Sequence, residues 1–223
     1  MNNLTLIIPA KNEKESLPKV LEELKKYSYN ISVVLEESDT ETINAIKNFS
    51  CRIIFQNGKG FGDALIQGIK ETQTEFFCIF NADGSFNPIE LKAMLKKVQD
   101  EPYDFVFATR YEKDCGSDDD TIVTFIGNYI FTFIGKIFFK LKISDILYTF
   151  VLGRTEQAKQ LNLKYKDFSF CVELPIKAKR KGYTMTTSKS YERSRIAGEK
   201  KVNAIRDGIL IFLSIIKLFF KSN

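Results

Sequence analysis

Short apolar runs alternate with amphipathic segments along the first half of the chain. Leu4 to Ile8 (LTLII) is a run halted by Pro9, and Lys14 to Tyr27 then carries Leu17, Val20, Leu21 and Leu24 at helical spacing. Ile31 to Leu35 (ISVVL), Cys51 to Phe55 (CRIIF) and EFFCIF, ending at Phe80, repeat the strand pattern. Helices are expected between them over Glu41 to Phe49 and from about Asp63 to Thr72. Such alternation, with strands β-branched and aromatic, predicts an α/β fold whose mostly parallel sheet is flanked by helices on both faces. Ligands bind such sheets at the carboxyl ends of the strands. Four polar loops, PAKNE, EESD, NGKGFGD and NADGSFNP, should therefore converge on one edge.

The second half reads differently. Pro88 to Lys97 looks helical and Phe105 to Ala108 strand-like, and TRYEKDCGSDDD is a long polar loop of a kind more often mobile than catalytic. From Thr121 to Ile143 the chain becomes dense in Phe and Ile, broken by Asn128, Lys136 and Lys140, and DGILIFLSIIKLFFKSN closes it. Neither stretch is an uninterrupted apolar run of roughly 20 residues, the length of a membrane span. Buried core helices are one reading. The other is a pair of helices in a bilayer interface, with Lys217 and Lys221 toward the headgroups.

Composition narrows the chemistry. The 223 residues suit one domain, and a net charge of +5 from 33 basic and 28 acidic residues argues against a dedicated nucleic-acid binder. There is no histidine, which removes Ser-His and Cys-His dyads and leaves acid-base work to Asp, Glu, Lys, Tyr or Cys. Cys51, Cys78, Cys115 and Cys171 are scattered without a CxxC pair, so neither a zinc site nor a disulfide framework is indicated. The short run NNLTLIIPAK lacks a basic leader, and the expected place of action is the cytoplasm, possibly peripheral on the inner face of the membrane.

Taken singly the loops are weak signals, but their order is specific. IIPAKNE, a strand ending in Glu36 and Glu37, GKGFGDALIQGI, and an apolar strand entering NADGSFNP resemble the nucleotide-sugar half of family-2 glycosyltransferases of the GT-A fold. ATRY (108–111), DILYTFVLGR (145–154), FCVELPIKAKRKGY (170–183) and RIAGEKKV (195–202) extend the resemblance to the branch containing dolichol-phosphate mannose synthases. The resemblance implies one GT-A domain over 1–223, with a nucleotide-sugar half (1–110), an acceptor half (111–202) and a C-terminal apolar helix (203–223).

The resemblance also implies an inverting, metal-dependent transfer from a nucleoside-diphosphate sugar. The acceptor would be a polyprenyl phosphate or lipid-linked glycan at a membrane surface; alternatives are a soluble or cell-surface glycan hydroxyl, a sugar nucleotidyltransferase, or an inactive nucleotide-sugar-binding homologue. A hard cation, Mg²⁺ or Mn²⁺, suits a diphosphate leaving group, and Asp83 would hold it with the Asn81 carbonyl and Ser85 hydroxyl as oxygen partners. The family usually has D-A-D here, so Asn81 is a departure that should weaken ion affinity.

Donor-binding residues carried over are Pro9, Ala10, Asn12, Glu13, Glu36, Lys59, Gly60, Asn81, Ala82 and Asp83; Asp63 reads as a helix cap. Glycine in GKGFG would let backbone approach the nucleotide. Catalytic residues carried over are Asp83, Arg110, Glu173, Arg195 and Lys201. Arg110 would face an acceptor phosphate, Arg195 and Lys201 would close over the diphosphate although Lys200 replaces the family's serine, and Glu173 or Asp145 would serve a hydroxyl acceptor as base.

Overall fold

The computed structural model describes residues 3–198 and 201–220. Its first half is the expected alternation: β1 (Leu4–Pro9), α1 (Leu17–Leu24), β2 (Asn30–Leu35), α2 (Thr40–Ile46), β3 (Arg52–Phe55), α3 (Phe61–Glu71) and β4 (Phe76–Ile79). A short 3₁₀ turn (Pro88–Glu90) leads into α4 (Leu91–Asp100), and β5 (Phe105–Thr109) follows. The remainder comprises β6 (Gly116–Ser117), α5 (Ile122–Phe139), β7 (Val151–Arg154), α6 (Thr155–Gln160), α7 (Phe170–Arg180), β8 (Met185–Lys189), β9 (Tyr191–Glu192) and α8 (Ala204–Phe220).

Seven strands form one sheet in the order β3-β2-β1-β4-β7-β5-β8. All pairings are parallel except the two made by β7, which runs antiparallel between β4 and β5. Successive side chains leave a strand on opposite faces, and the core divides accordingly. Leu6, Ile8, Cys78 and Phe80 pack with α1 and α4 on one side. Ile7, Phe77 and Ile79 pack with α3, α5, α7 and α8 on the other.

Two expectations need correction. The polar loop at 109–120 is not an unstructured excursion: β6 pairs with β9, Gly116 opposite Tyr191 and Ser117 opposite Glu192. The Asp118 amide donates to the Glu192 carbonyl, tying the ribbon further. Nor are the two apolar stretches simply core. Only 28% of α5 is buried, and the helix has a mean hydropathy of 1.7 over 18 residues, long and apolar enough by composition to cross a membrane. Its inner side (Phe131, Gly135, Phe139) meets α7 and α8, while Ile122 and Tyr129 are 79% and 67% exposed. On α8, Ile211, Ile215 and Leu218 face inward and Ile205, Ile209 and Phe220 outward. Lys221 lies outside the described residues.

Candidate active site

The carboxyl ends of β1 to β4 surround a cleft of about 670 Å³. Its floor is made by Pro9, Ala10, Lys11 and Glu13 after β1, Glu36 after β2, Gln56 and Gly60 after β3, and Asn81, Ala82 and Asp83 after β4. All four polar loops therefore meet at one edge.

The turn after β1 is built by α2. The Asn12 residue adopts φ 53° and its amide donates to Asp39 Oδ2 at 2.7 Å, while the Glu13 amide donates to Thr42 Oγ1 at 3.0 Å. Asn12 is consequently a corner of the turn and does not line the cleft, unlike its neighbours Ala10 and Glu13. Glu13 is buried, accepts from the Ser16 hydroxyl at 2.5 Å, and faces Lys201 Nζ at 3.5 Å. Glu36 pairs with Lys11 at 3.1 Å.

The glycines after β3 answer to protein rather than to ligand. A Cβ on Gly60, which has φ 105°, would stand 2.3 Å from the Lys166 carbonyl oxygen, and one on Gly62 would stand 2.2 Å from that of Tyr165. The loop is thus pressed against the stretch leading into α7, and Phe61 stacks on Phe168 with ring centroids 4.9 Å apart. Lys59 is exposed and does not reach the cleft. Asp63 accepts from the Gly58 amide at 3.0 Å and pairs with Lys166 at 3.1 Å, closing the loop from within.

At the end of β4 a short relay fixes Asp83. Asn81 Nδ2 donates to Ser85 Oγ (3.2 Å), and Ser85 donates to Asp83 Oδ1 through both its hydroxyl (2.7 Å) and its amide (3.0 Å). The asparagine supplies a donor that an aspartate could not, which gives Asn81 a physical reason. Ser85 is only 1% exposed and absent from the cleft wall, so it orients Asp83 and is not placed to ligate an ion. Asp83 Oδ2 instead faces Arg195 Nη2 at 3.6 Å.

Arg195 belongs to a strap crossing over this corner. The Arg193 amide donates to the Ser85 carbonyl and the Ile196 amide to that of Asp83, while the Ile196 side chain lies where a Cβ on Gly84 would be. Arg195 Nη2 also meets Asp119 Oδ2 at 3.1 Å. Burial disfavours the guanidinium charge, but the Asp119 hydrogen bond and the nearby Asp83 outweigh it and raise its pKa. Arg195 Nε is buried without a partner among the described residues, an unsatisfied donor beside the Asp83 corner. Lys201 lines the cleft, and Lys200 lies outside the described residues.

A diphosphate with a divalent ion fits these groups. Among the described residues no three Asp, Glu or Cys side chains converge to hold a metal alone. Mg²⁺ and Mn²⁺, however, commonly take one or two carboxylates and complete their shell with substrate phosphates and water. Asp83 supplies one such carboxylate, and the orphaned Arg195 donor suits a phosphate oxygen.

Two other expectations are overturned. Arg110 touches the cleft but is committed elsewhere: Nε and Nη2 fork onto Asp145 at 2.8 and 3.0 Å, and Nη1 reaches Glu192 at 2.9 Å. It lies 4.4 Å over the Tyr148 ring, with its side chain 10% exposed and that of Asp145 0%. It is not held ready for an acceptor phosphate. Asp145 is equally unavailable as a base, since it also accepts from the Arg110 amide and from Asn128. Glu173 is buried away from the cleft, accepting from the amides of Lys164 and Tyr165 and pairing with Lys177 at 2.7 Å. Its carboxylate pins the segment before α7. Arg154, at the end of antiparallel β7, lies at the opposite sheet edge beside Glu75.

Two residues lining the cleft were missed from the sequence, Asp119 and Asp120. Asp120 accepts from Tyr111 Oη at 2.6 Å and from Thr124 Oγ1. The Ser117 hydroxyl accepts from the amides of both aspartates, anchoring them. A DDD run in a polar loop gives no sequence cue of its own. Only its pairing with β9 brings it to the cleft.

The model for Glycosyl transferase family 2 matches residues 5–161, more than half of the chain. The chain belongs to this family. Among relatives of this glycosyltransferase, an uncharacterised protein of Methanocaldococcus jannaschii is 26% identical over 190 residues, covering 81% of this chain and 77% of the relative. An uncharacterised glycosyltransferase of Mycobacterium bovis is 23% identical over 216 residues, covering 96% and 97%. The fold is also similar to that of glucosyl-3-phosphoglycerate synthase from Mycobacterium tuberculosis, crystallised with Mn²⁺, UDP and glucosyl-3-phosphoglycerate. That match has a TM-score of 0.77 at 11% identity, over 99% of this chain and 81% of the other. The fold is thus GT-A.

Proposed function

We propose that this glycosyltransferase moves a sugar from a nucleoside-diphosphate sugar, bound with Mg²⁺ or Mn²⁺, to an acceptor presented at a membrane surface, in the manner of the dolichol-phosphate mannose synthase-like branch. The donor would lie along Pro9, Ala10, Glu13, Glu36 and Ala82, with its diphosphate between Asp83 and the strap. Asp83 would hold the ion, which supplies charge neutralisation to the departing diphosphate. Arg195 and Lys201 add fixed positive charge from the other side.

The membrane part rests on one observation: α5 and α8 border the cleft and are apolar on the faces turned away from it. Thr124 and Asn128 of α5, with Arg206, Asp207 and Leu210 of α8, line the cleft. Ile126, Phe133, Ile209 and Phe212 are exposed beyond them, and Phe138 meets Phe219 across the pair at 5.6 Å. Lys136 and Lys217 flank the patch, as lysines do where an apolar face enters an anionic headgroup layer. A lipid-borne acceptor would arrive at the cleft mouth already oriented. The likeness to a glucosyl-3-phosphoglycerate synthase favours the second reading, a soluble acceptor.

Liposome flotation separates the two readings. Wild type should float with phosphatidylglycerol vesicles and Phe133→Glu with Phe212→Glu should not; failure of wild type to float refutes the membrane reading. For the donor, a thermal-shift panel of UDP-, GDP-, CMP- and dTDP-sugars with Mn²⁺ should show one stabilising ligand, with the stabilisation lost in Asp83→Ala. Release of nucleoside diphosphate distinguishes glycosyl transfer from nucleotidyl transfer, which releases pyrophosphate. Absence of turnover with any acceptor or water marks an inactive homologue.

A further inference from the structure

We infer that Arg193 and Glu23 form a positioning pair that holds the strap in register on the turn after β4, so that Arg195 stays opposite Asp83. The inference rests on the nucleotide-sugar reading above and adds to it the residues that set the site's grip on the diphosphate.

The strap is fastened at intervals. Near its start, Glu90 accepts from the Ser190 hydroxyl at 2.5 Å and from the Tyr191 amide at 2.9 Å. Farther along, Lys201 faces Glu13 at 3.5 Å. Between these points Arg193 joins three pieces of the molecule. Its Nη1 and Nη2 fork onto the Glu23 carboxylate at 2.9 and 3.0 Å, and Nη2 also donates to the Phe86 carbonyl at 2.7 Å. Its own amide donates to the Ser85 carbonyl at 2.9 Å. Glu23 sits on α1, the helix that follows the PAKNE loop, and Ser85 and Phe86 continue the turn that carries Asp83. One side chain therefore ties the helix behind the first cleft loop to the last cleft loop and to the strap.

The position of Arg195 depends on this tie. Two residues beyond Arg193, its Nη2 faces Asp83 Oδ2 at 3.6 Å, and the Ile196 amide donates to the Asp83 carbonyl at 2.7 Å. Strap and turn thus run side by side, Arg193 against Ser85 and Ile196 against Asp83, and a slip of either moves the guanidinium relative to the carboxylate. The fork resists such a slip because a guanidinium meets a carboxylate in one plane through two parallel bonds. Arg193 and Glu23 are 34% and 31% exposed, and a simple ion pair at that exposure adds little stability. What this bidentate pair supplies is geometry. Its effect is confined to the phosphate end of the cleft. The first loop is braced separately by Asp39 and Thr42, which hold the Asn12 and Glu13 amides, so the nucleoside end keeps its shape without the fork.

The test compares wild type with Glu23→Gln, Arg193→Gln, the double variant and Arg193→Lys. Calorimetry with Mn²⁺ measures the affinities of UDP, GDP, CDP and dTDP and of the matching monophosphates, and a thermal melt reports folding. A monophosphate probes the nucleoside end, and the diphosphate adds the corner at Asp83. For the base that wild type selects, Arg193→Gln should lose roughly 10- to 100-fold in diphosphate affinity, the range of one hydrogen bond to a charged group, and hold the monophosphate within about threefold. Arg193→Lys should lose less, because an ammonium keeps the charge but not the fork. Glu23→Gln should show a smaller loss of the same kind, and the double variant no more than Arg193→Gln, since the two residues act as one unit. Glu23→Gln carries the test alone if the Arg193 variants fail to fold. The control is Arg154→Gln: Arg154 likewise pairs with a glutamate, Glu75 at 3.1 Å, and with a carbonyl, that of Val98 at 2.8 Å, at the opposite sheet edge. It should leave the preference for diphosphate unchanged. An unchanged preference in the folded clamp variants overturns the assignment, as does an equal loss in Arg154→Gln or an equal loss of mono- and diphosphate affinity. A wild type that binds no diphosphate more tightly than its monophosphate instead overturns the nucleotide-sugar reading beneath it.

Discussion

Arg110 offers the sharpest test of how the second half of the chain is held together. Replacing it with methionine keeps much of the side-chain volume but removes the fork onto Asp145 and the contact to Glu192, whose side chains are 0% and 11% exposed. Burial works against the guanidinium charge, yet Asp145 and then Glu192 raise its pKa, so the cation is present at every pH the protein encounters. Removing one partner of a buried ion pair leaves an uncompensated charge and costs about 3–5 kcal/mol. For a chain of this size each kcal/mol lowers Tm by roughly 2–4 °C, so Arg110→Met should melt on the order of 10 °C below wild type. Urea denaturation measures the free energy directly. Adding Asp145→Asn and Glu192→Gln removes the stranded charges, and the triple variant should recover at least about 1 kcal/mol of the loss, a coupling typical of contacting residues. If Arg110→Met is within about 1 kcal/mol of wild type, or the triple variant is less stable still, the ion-pair account of this cluster is wrong.

Three further outcomes follow from other parts of the molecule. Gly62→Ala should destabilise by about 1–3 kcal/mol in urea titration, because its Cβ would press on the Tyr165 carbonyl whether or not nucleotide is present. Glu173→Gln should lose about 1–3 kcal/mol, since a neutral amide replaces a carboxylate held by two backbone amides and Lys177; its activity per folded molecule should match wild type, and a selective loss of turnover would restore Glu173 to the chemistry. Stability should fall as pH rises above 9. Burial raises the Cys171 thiol from its ordinary value of 9.0 to about 12, and raises Cys78, Tyr148 and Tyr111 as well. The unfolded chain therefore releases these protons first, so stability present below pH 9 is lost on passing toward pH 12. A flat melting temperature between pH 8 and 11 would contradict this.

The parallel strands and the loops at their ends were legible because each rests on local pattern: a β-branched run, a turn residue, an amphipathic helix. Antiparallel β7 was not, since VLGR is too short to declare direction and sits inside a motif that invited a functional reading. The cleft corner after β4 was legible for the same local reason, with Asn81, Ala82 and Asp83 consecutive in the chain. The facing wall was not, because its contacts join residues such as Arg110 and Glu192, or Asp119 and Arg195, that are 82 and 76 positions apart. Burial decides the role of an acid or base, and sequence does not show which Glu or Arg will be buried. Glu173 and Arg110 read as chemical residues on that account, and Asp119 gives no sign in the sequence that it lines the cleft.

The contact of Gly60 and Gly62 with the backbone at 165–167 bears on modularity. The adjoining Ser169 accepts a hydrogen bond from Ser214 of α8 at 3.0 Å, so the glycine loop at the cleft and the apolar C-terminal helix are braced through one short segment. A glycine loop transplanted from another family member would lose its seat unless residues 165–169 travelled with it. Donor preference and the tilt of the apolar helix are therefore expected to be inherited together, as one cassette.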